Sequence, residues 1–499
     1  MITPTRMHPM KIVSSMIKIL RDNIIFIFIF FIVNFGLDVP TYINVFRILF
    51  LLYITVNVIH SILSWWKTTY EIREDTIHIR SGVFQKKHNT IPLAEIQNIT
   101  WETPAYFRPF KVTSIRLETS AASDSASVNL DAITNEQAEA IEELATDYKA
   151  AQPETTETET HEASDDFEQK QASSPEKQAR TVHFVPTTRD LIKASFLSFS
   201  FLALIPLIAV GYQNLERIVD IDDKAIGVYS FLTSSWLITA ITLVVLAAVF
   251  IAFGVVSTFL KYGKYEIASD DERIFIHRGI LSVKAFSIRK ANVQAIQVSQ
   301  TPPKKLLRLA EVKLISAGSM EGESEDISTL YPFLPVKRAS SLVAELLPHL
   351  PVQEATQKLP RQALWPRMLR VPWFGLIAAG ALLWFKIEWW SVLIPFFFFI
   401  YLSRYFNYRN TRYVWDETGI HFKNGGIWTQ HFVTNRKKII EIEISQSLLQ
   451  RRLGLATITT VNRVKPVHHE QLEDLPLTAA QDFKQWYSKR FMEKEIYVE

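Results

Sequence analysis

Cysteine is absent from the 499-residue chain. This absence excludes disulfide bonds, thiolate metal sites and cysteine nucleophiles, and it is typical of proteins whose soluble parts face a reducing compartment. An excess of charge of one sign is also lacking, since 54 lysine and arginine residues nearly balance 51 aspartate and glutamate residues. The overall charge therefore gives no support to a nucleic-acid partner.

Motifs for catalysis or cofactor binding are missing as well. The sequence has no Gly-x-x-x-x-Gly-Lys phosphate loop, no Gly-x-Gly-x-x-Gly dinucleotide turn and no His-Glu-x-x-His zinc helix. The densest group of possible metal ligands is His468-His469-Glu470, but neighbours on one strand point to opposite faces and would chelate poorly. We expect no catalytic, cofactor-binding or metal-binding residues, and a protein that is not an enzyme.

Long apolar runs are abundant, and they occur in three pairs. The runs cover residues 23–37 and 48–66, 194–215 and 225–260, and 371–385 and 389–403. A membrane-spanning helix needs about 20 mostly apolar residues, so each pair predicts a membrane hairpin of two helices. The third pair has short runs, which leaves a shallow re-entrant hairpin open as an alternative.

Basic residues mark one side of every pair. They flank the outer ends of the runs, as at Lys18, Arg21, Lys67, Lys261 and Arg404, whereas the hairpin turns are poor in them. Cytoplasmic segments of membrane proteins carry this excess of Lys and Arg. We therefore expect a multi-pass protein of the cell membrane whose termini and large hydrophilic segments are all cytoplasmic.

A similar segment follows each pair. It opens with a Tyr-led strand and soon reaches a Gly-centred turn, as in Tyr70-Glu71-Ile72 before Gly82, Tyr265-Glu266-Ile267 before Gly279, and Tyr413-Val414-Trp415 before Gly425. Residues 91–99 then correspond to 288–296 and 434–442. An amphipathic helix closes each copy, and Thr134 with Gln137, and Thr478 with Gln481, predict capping boxes at two helix starts. Short strands closed by one helix predict a small β-barrel or sandwich.

These features divide the chain into three repeats of a hairpin followed by a β domain. The predicted segments are hairpin 1 (1–67), β domain 1 (68–150), an acidic disordered linker (151–188), hairpin 2 (189–261), β domain 2 (262–350), a Pro-containing linker (351–368), hairpin 3 (369–407) and β domain 3 (408–499).

This order of elements resembles the bacterial pleckstrin-homology (PH) domain membrane proteins of the YdbS/YdbT type, and its length and threefold repetition are closest to the YdbT-like members. The resemblance covers the chain except the acidic linker. It implies that each β domain is a PH-like β-barrel capped by its C-terminal helix. It also implies a place in the plasma membrane of Gram-positive bacteria and a link to envelope stress and antimicrobial peptide resistance. It supplies no catalytic residues.

Basic residues recur at similar positions of the repeats and are candidates for contacts with anionic lipid headgroups. They are Lys86, Lys87, Lys304, Lys305, Arg308, Arg436, Lys437, Lys438, Arg451 and Arg452. The alternative is that these are ordinary solvated charges. The partners we expect are membrane lipids together with further copies of the chain or a smaller family member, and no nucleic acid.

Three functions remain open from the sequence. The leading hypothesis is a membrane-anchored assembly or scaffold that protects or organises the bilayer under envelope stress. A transporter or lipid-moving protein that uses the six helices is the alternative. The third is a scaffold whose exposed strand edges recruit a peptide or a soluble partner.

Overall fold

The computed structural model describes residues 2–33, 40–73, 75–119, 127–150, 180–197, 235–316, 329–385, 387–417, 419–464 and 467–495. Two compact units divide the chain. The first comprises Met1–Arg180, Val185–Glu266 and Phe275–Ser287, and the second comprises Thr181–Phe184, Ile267–Ile274 and Ile288–Glu499.

Seven strands belong to each repeat. In the first repeat they are β1 (Ile2–Arg6), β2 (Thr69–Arg73), β3 (Thr76–Ser81), β4 (Lys87–Pro92), β5 (Ile96–Thr103), β6 (Val112–Thr119) and β7 (Ser127–Thr134). In the second they are β8 (Thr181–Phe184), β9 (Glu266–Ser269), β10 (Arg273–Arg278), β11 (Val283–Arg289), β12 (Val293–Gln300), β13 (Leu309–Ser316) and β14 (Thr329–Pro335). In the third they are β15 (Gln357–Lys358), β16 (Arg412–Trp415), β17 (Gly419–Asn424), β18 (Thr429–Asn435), β19 (Ile439–Ser445), β20 (Leu455–Asn462) and β21 (His468–Pro476).

The helices fall before, between and after these strands. They are α1 (Met10–Asp22), α2 (Ile24–Ile27, continued by a π-helical segment Phe28–Val33), α3 (Thr41–Lys67), α4 (Asn135–Ala150), α5 (Thr188–Leu197), α6 (Trp236–Tyr262), α7 (Pro302–Leu306), α8 (Val336–Leu346), α9 (Leu364–Leu369), α10 (Trp373–Phe385), α11 (Trp390–Asn410), α12 (Leu448–Arg452) and α13 (Leu477–Glu495). Short 3-10 helices join the two halves of each domain at Leu93–Glu95, Lys290–Asn292 and Arg436–Lys438.

The first unit contains an antiparallel sheet in the order β1-β2-β3-β4, and β5, β6 and β7 form a second antiparallel group. Alternate residues of β2 and β3 are buried, because successive side chains of a strand point to opposite faces. The core includes Tyr70, Ile77 and Leu117, and α4 adds Ala138, Ile141 and Ala145 at helical spacing.

The second unit contains a seven-stranded sheet in the order β14-β13-β12-β18-β17-β16-β15 and a three-stranded sheet in the order β19-β20-β21. Its core includes Phe422, Phe432 and Leu475. Helix α13 places Ala480, Phe483 and Tyr487 against this core, again at helical spacing. One seven-stranded sheet is thus shared by strands of two repeats.

The first strand of every β domain lies upstream of the hairpin that was predicted to precede the whole domain. β1 pairs with β2 across α1–α3, β8 pairs with β9, and β15 pairs with β16 across α10–α11. The sequence boundaries placed these first strands in hairpin 1 and in the linkers 151–188 and 351–368. Strands of two to five residues carry too little alternation to be recognised in a sequence.

One described helix, Thr41–Lys67, is long and apolar enough to cross a membrane, and the stretch Ala247–Tyr262 of α6 is a shorter apolar helical segment. Residues 24–33 are helical, which agrees with the predicted hairpin, and α10 and α11 cover the third pair of runs. Most of the run 194–215 and the turn that follows it lie outside the described residues. The six-helix membrane part therefore stays a prediction.

The glycine turns and one capping box are confirmed. Gly82 and Gly425 have φ of +112° and +123°, and an added Cβ would lie within 2 Å of a carbonyl oxygen at both positions. Thr134 and Gln137 exchange the two hydrogen bonds of a capping box at the start of α4. The box predicted at Thr478 is wrong, because α13 begins at Leu477 and Thr478 lies within its first turn.

Candidate functional site

The repeats are joined through their strands, and the first junction lies within the first unit. There β11 pairs antiparallel with β5, from Val283 opposite Thr103 to Ser287 opposite Ile99. Lys284 and Glu102 lie opposite each other in this register and form an ion pair of 2.9 Å. A strand of one repeat therefore completes the sheet of the preceding repeat.

The second junction lies within the second unit and joins β18 to β12. The pairs run from Thr429 opposite Gln300 to Thr434 opposite Ala295. Thr434 Oγ1 donates a hydrogen bond of 2.6 Å to the carbonyl of Gln294, and Asn462 Nδ2 donates to Thr434 Oγ1 at 3.0 Å. The hydroxyl is thus satisfied on both sides in a buried position, as a buried polar group requires.

Both junctions use the same register. Val283 and Thr429 hold the same position relative to the 3-10 helix that follows each strand, and their partners Thr103 and Gln300 are the last residues of β5 and β12. Register in a sheet is fixed by which side chains must face the core. The two junctions are therefore copies of one interface rather than two independent contacts.

Two histidines lie at the second junction. His431 is opposite Val298, and its ring centroid is 5.8 Å from that of His421 on β17. Burial, with further contributions from His421 and Lys423, lowers the pKa of His431 from 6.5 to about 3. Burial also lowers the pKa of His421. Both imidazoles are therefore held in the neutral form when the domain is folded.

Acidification is expected to weaken the fold around this junction. Since the folded-state pKa of His431 lies below the unfolded value, the unfolded chain binds the proton more readily, and stability falls as the pH drops from 6.5 towards 3. At pH 4.5 the loss is about 2–3 kcal/mol. Unfolding of the detergent-solubilised protein at pH 6.5 and at pH 4.5 measures this loss of stability. His431→Gln should remove most of this loss, whereas replacement of the exposed His88 should not.

A buried ion pair lies where the third hairpin meets its domain. Arg367 of α9 and Asp474 of β21 are 5% and 0% exposed and are 3.0 Å apart from Nε to Oδ2. Arg367 also donates to Asn407, to Thr411 Oγ1 and to the carbonyl of Glu473. Burial lowers the pKa of Arg367, while Asp474 acts in the opposite direction.

The remaining carboxylate oxygen of Asp474 is satisfied as well. It accepts a hydrogen bond of 2.7 Å from Gln450 of α12. Asp474 adopts a left-handed backbone with φ of +63°, which turns β21 at this point. The network therefore connects the segment before the hairpin, the end of α11 and the β domain itself.

The first repeat has a weaker counterpart of this network. Lys11 lies 4.0 Å from Asp131, and Thr68 donates to the carbonyl of Ser64 as Thr411 does to that of Asn407. Burial lowers the pKa of Lys11, and Asp131 partly offsets this shift. In both repeats a cation before the hairpin contacts a carboxylate near the end of the last strand.

The ten basic residues predicted to meet lipid headgroups fall into two groups. Four have protein partners: Lys304 with Glu311, Lys305 with the carbonyl of Ile427, Arg436 with the carbonyl and ring of Trp486, and Lys438 with the carbonyl of Ala291. The other six side chains are exposed, namely Lys86, Lys87, Arg308, Lys437, Arg451 and Arg452. The exposed group is better placed to reach an external anion.

The sequence did not reveal the pairing between strands of different repeats, nor the buried ion pair. Arg367 lies among the basic residues before the run 371–385, where it is indistinguishable from a residue that flanks a membrane helix, and no pattern singled out Asp474. The strands carry no clear signal, because β5 alternates Asn98, Thr100 and Glu102 with apolar residues, much as the uncovered β19 alternates two glutamates with isoleucines.

Comparisons with known proteins follow the same repeats. A family model described as Bacterial PH domain matches residues 26–149, 225–349 and 368–491. The UPF0699 transmembrane protein YdbT of Bacillus subtilis (strain 168) is 25% identical, over 97% of this chain and 98% of the relative. No solved structure matches the chain. Each matched stretch begins within or just before the apolar runs of its repeat and extends to the closing helix.

Proposed function

The chain belongs to the bacterial PH-domain family, and on that premise we propose that it is a non-enzymatic, multi-pass protein of the cell membrane whose PH domains form a cytoplasmic scaffold. Its similarity to a transmembrane relative and the apolar helix Thr41–Lys67 support the membrane location. The basic outer ends of the apolar runs support cytoplasmic termini and domains. The scaffold protects or organises the bilayer under envelope stress, such as exposure to antimicrobial peptides.

The observation that carries this proposal is the pairing of strands on either side of a hairpin. Lys358 before hairpin 3 lies opposite Arg412 after it, and Arg6 before α1 lies opposite Thr69 after α3. Paired strands are about 5 Å apart, so both ends of the hairpin are held at one edge of the domain. Each of these domains is thereby fixed close to the membrane surface, as a scaffold under the bilayer requires.

The junctions supply a second property that a scaffold needs, which is a fixed connection between its repeats. In each unit a strand of one repeat is hydrogen-bonded to a strand of another, so neighbouring domains cannot reorient freely. Within each unit the junction therefore holds two repeats together through a sheet rather than through a flexible linker, as a scaffold requires.

Loss of the gene tests the proposed role directly. A deletion strain should become more sensitive to membrane-active peptides, and re-expression of the chain should restore tolerance. A variant with Val433→Lys, which breaks the second junction, should fail to restore it although it is present in the membrane. Unchanged sensitivity of the deletion strain would contradict the protective role.

Anionic lipid is the ligand we expect at the exposed basic residues. Arg451→Gln with Arg452→Gln should weaken binding of a fluorescent phosphatidylglycerol to the detergent-solubilised chain by roughly 30-fold, since each charge contributes about 1 kcal/mol. Lys484→Gln with Lys489→Gln removes the same charge from exposed positions of α13 and serves as the control. Equal weakening by both pairs would show that only net charge matters.

A further inference from the structure

In the part of the chain that the structure describes, two strands have the position of a junction strand but no partner strand on their outer side. β4 is the last strand in the order β1-β2-β3-β4, and β19 is the first in the order β19-β20-β21. β4 precedes the 3-10 helix Leu93–Glu95 as β11 and β18 precede theirs, and β19 follows Arg436–Lys438 as β5 and β12 follow theirs. The first repeat thus presents one half of the interface and the third repeat presents the other half.

Exposure indicates that, among the described residues, the edge of β4 and the edge of β19 from Glu441 onwards are uncovered, whereas the carbonyl of Ile440 at the start of β19 accepts a hydrogen bond from Tyr487. Ser287 of β11 and Val433 of β18 are buried at their junctions, whereas Thr90 at the same position of β4 is exposed. Asn98 of β5 and Ala295 of β12 are likewise buried, whereas Glu441 of β19 is exposed. An open strand edge offers unpaired N–H and C=O groups and is a template for another strand.

The charges of the two edges are complementary. β4 and the turn before it carry Lys86, Lys87 and His88, while β19 carries Glu441 and Glu443. Two β4 edges would bring lysines together and two β19 edges would bring glutamates together, so pairing of like edges is disfavoured. The first junction already contains such a charge pair, and its Lys284 corresponds to Lys87.

The register of the existing junctions gives the pairing in detail. Applied to β19 and β4, it places Gln446 opposite Lys86 and Ile444 opposite His88. Ile442 then lies opposite Thr90, and Glu441 lies opposite Ile91. Glu443 lies diagonally across from Lys87. Pro92 has no N–H to donate, but its counterparts Arg289 and Asn435 lie beyond the last paired residue of β11 and of β18. Nothing in β4 therefore prevents the pairing that β11 and β18 adopt.

We propose that β19 of one molecule pairs with β4 of a second copy of this chain, in the register of the internal junctions. The proposal rests on the proposed scaffold function and names the surface through which the scaffold grows. Because the two edges differ, the contact is head to tail, and it generates a ring if the rotation closes and an open array if it does not. Lys86 and Lys87, predicted as headgroup contacts, would then face a protein partner.

Engineered cysteines test this register, since the chain has none of its own. His88→Cys and Ile444→Cys lie directly opposite each other in the proposed pairing, at a separation of about 5 Å that suits a disulfide. Membranes that contain the double variant should give a ladder of dimers and higher species on a non-reducing gel. A mixture of the two single variants should stop at the dimer.

The matched control moves one cysteine by one residue. His88→Cys with Glu443→Cys places the two thiols on opposite faces of the sheet, so its cross-linked yield should be at least about tenfold lower. Reversal of charge at Lys86 and Lys87 should lower the yield of the correct pair, and simultaneous reversal at Glu441 and Glu443 should restore it. Reversal at the exposed Glu139 and Glu143 of α4 should not restore it.

Several results would overturn the proposal. An equal yield from the shifted pair, a cross-link within a single chain, or capture of a different protein by Ile444→Cys would each exclude a second copy as the occupant. The mass of the detergent-solubilised protein separates this failure from failure of the scaffold function. Oligomers that persist without the cross-link leave the scaffold standing, whereas unchanged peptide sensitivity of the deletion strain contradicts the scaffold whatever the cross-link shows.

Discussion

Replacing Asp474 by asparagine is expected to lower the free energy of unfolding of the third repeat by about 3–5 kcal/mol. The substitution keeps the shape of the side chain but leaves the guanidinium of Arg367, which is 5% exposed, without its counter-charge. A buried charge that loses its partner keeps the full cost of its removal from water. Chemical unfolding in detergent, followed by tryptophan fluorescence, measures the loss.

Two comparisons show whether burial of the pair is the cause. Glu345→Gln breaks the exposed pair of Arg338 and Glu345, and it should cost less than about 1 kcal/mol because solvent screens such pairs. Arg367→Met with Asp474→Asn removes both charges while keeping at position 474 a residue that tolerates its left-handed backbone, and it should recover most of the stability lost in the single variant. A cost for Asp474→Asn no larger than that for Glu345→Gln would show that water reaches the site.

The position of this pair gives it a role beyond stability. Arg367 contacts Asn407 and Thr411 at the end of α11, while Asp474 lies on β21 next to the closing helix. The pair therefore attaches the end of α11 to the β domain through charged hydrogen bonds. The single variant is expected to loosen this attachment before the domain itself unfolds.

Local patterns were sufficient to predict the threefold repeat and the elements inside each domain. The turns at Gly82, Gly279 and Gly425 all have positive φ, which only glycine adopts readily, so they were visible as sequence signals. The amphipathic closing helices also follow from local periodicity. The start of α13 was misplaced because Thr478 and Gln481 have the spacing of a capping box, whereas the helix already begins at Leu477.

Contacts between distant segments were not predictable in the same way. The pairing of β12 with β18 joins residues far apart in the chain, and no local propensity distinguishes a strand covered by a neighbour from one at an edge. The first strands β1 and β15 are separated from their partners by the helices α1–α3 and α10–α11, which hid their membership of the domain. The ten basic residues were identified from the sequence. The sequence did not show which four of them contact other groups of the protein.

Val433→Lys is expected to break the second junction, at a cost of about 3–5 kcal/mol. Val433 is 2% exposed and lies opposite Ile296, which is 0% exposed, so the new ammonium group would have neither water nor a counter-charge. A buried lysine either loses its proton or forces the strands apart. Because the pairing of β18 with β12 connects two repeats, separation should also expose the 434–442 segment to limited proteolysis.

The matched control is Gln430→Lys on the same strand. Gln430 is half-buried, and its amide donates a hydrogen bond of 3.2 Å to Glu470 Oε2, so a lysine there has a carboxylate within reach. It adds the same charge to β18 and should change stability by less than about 1 kcal/mol. If both variants unfold alike, charge on β18 rather than burial at the junction is responsible. If neither does, the two repeats are held together by something other than their paired strands.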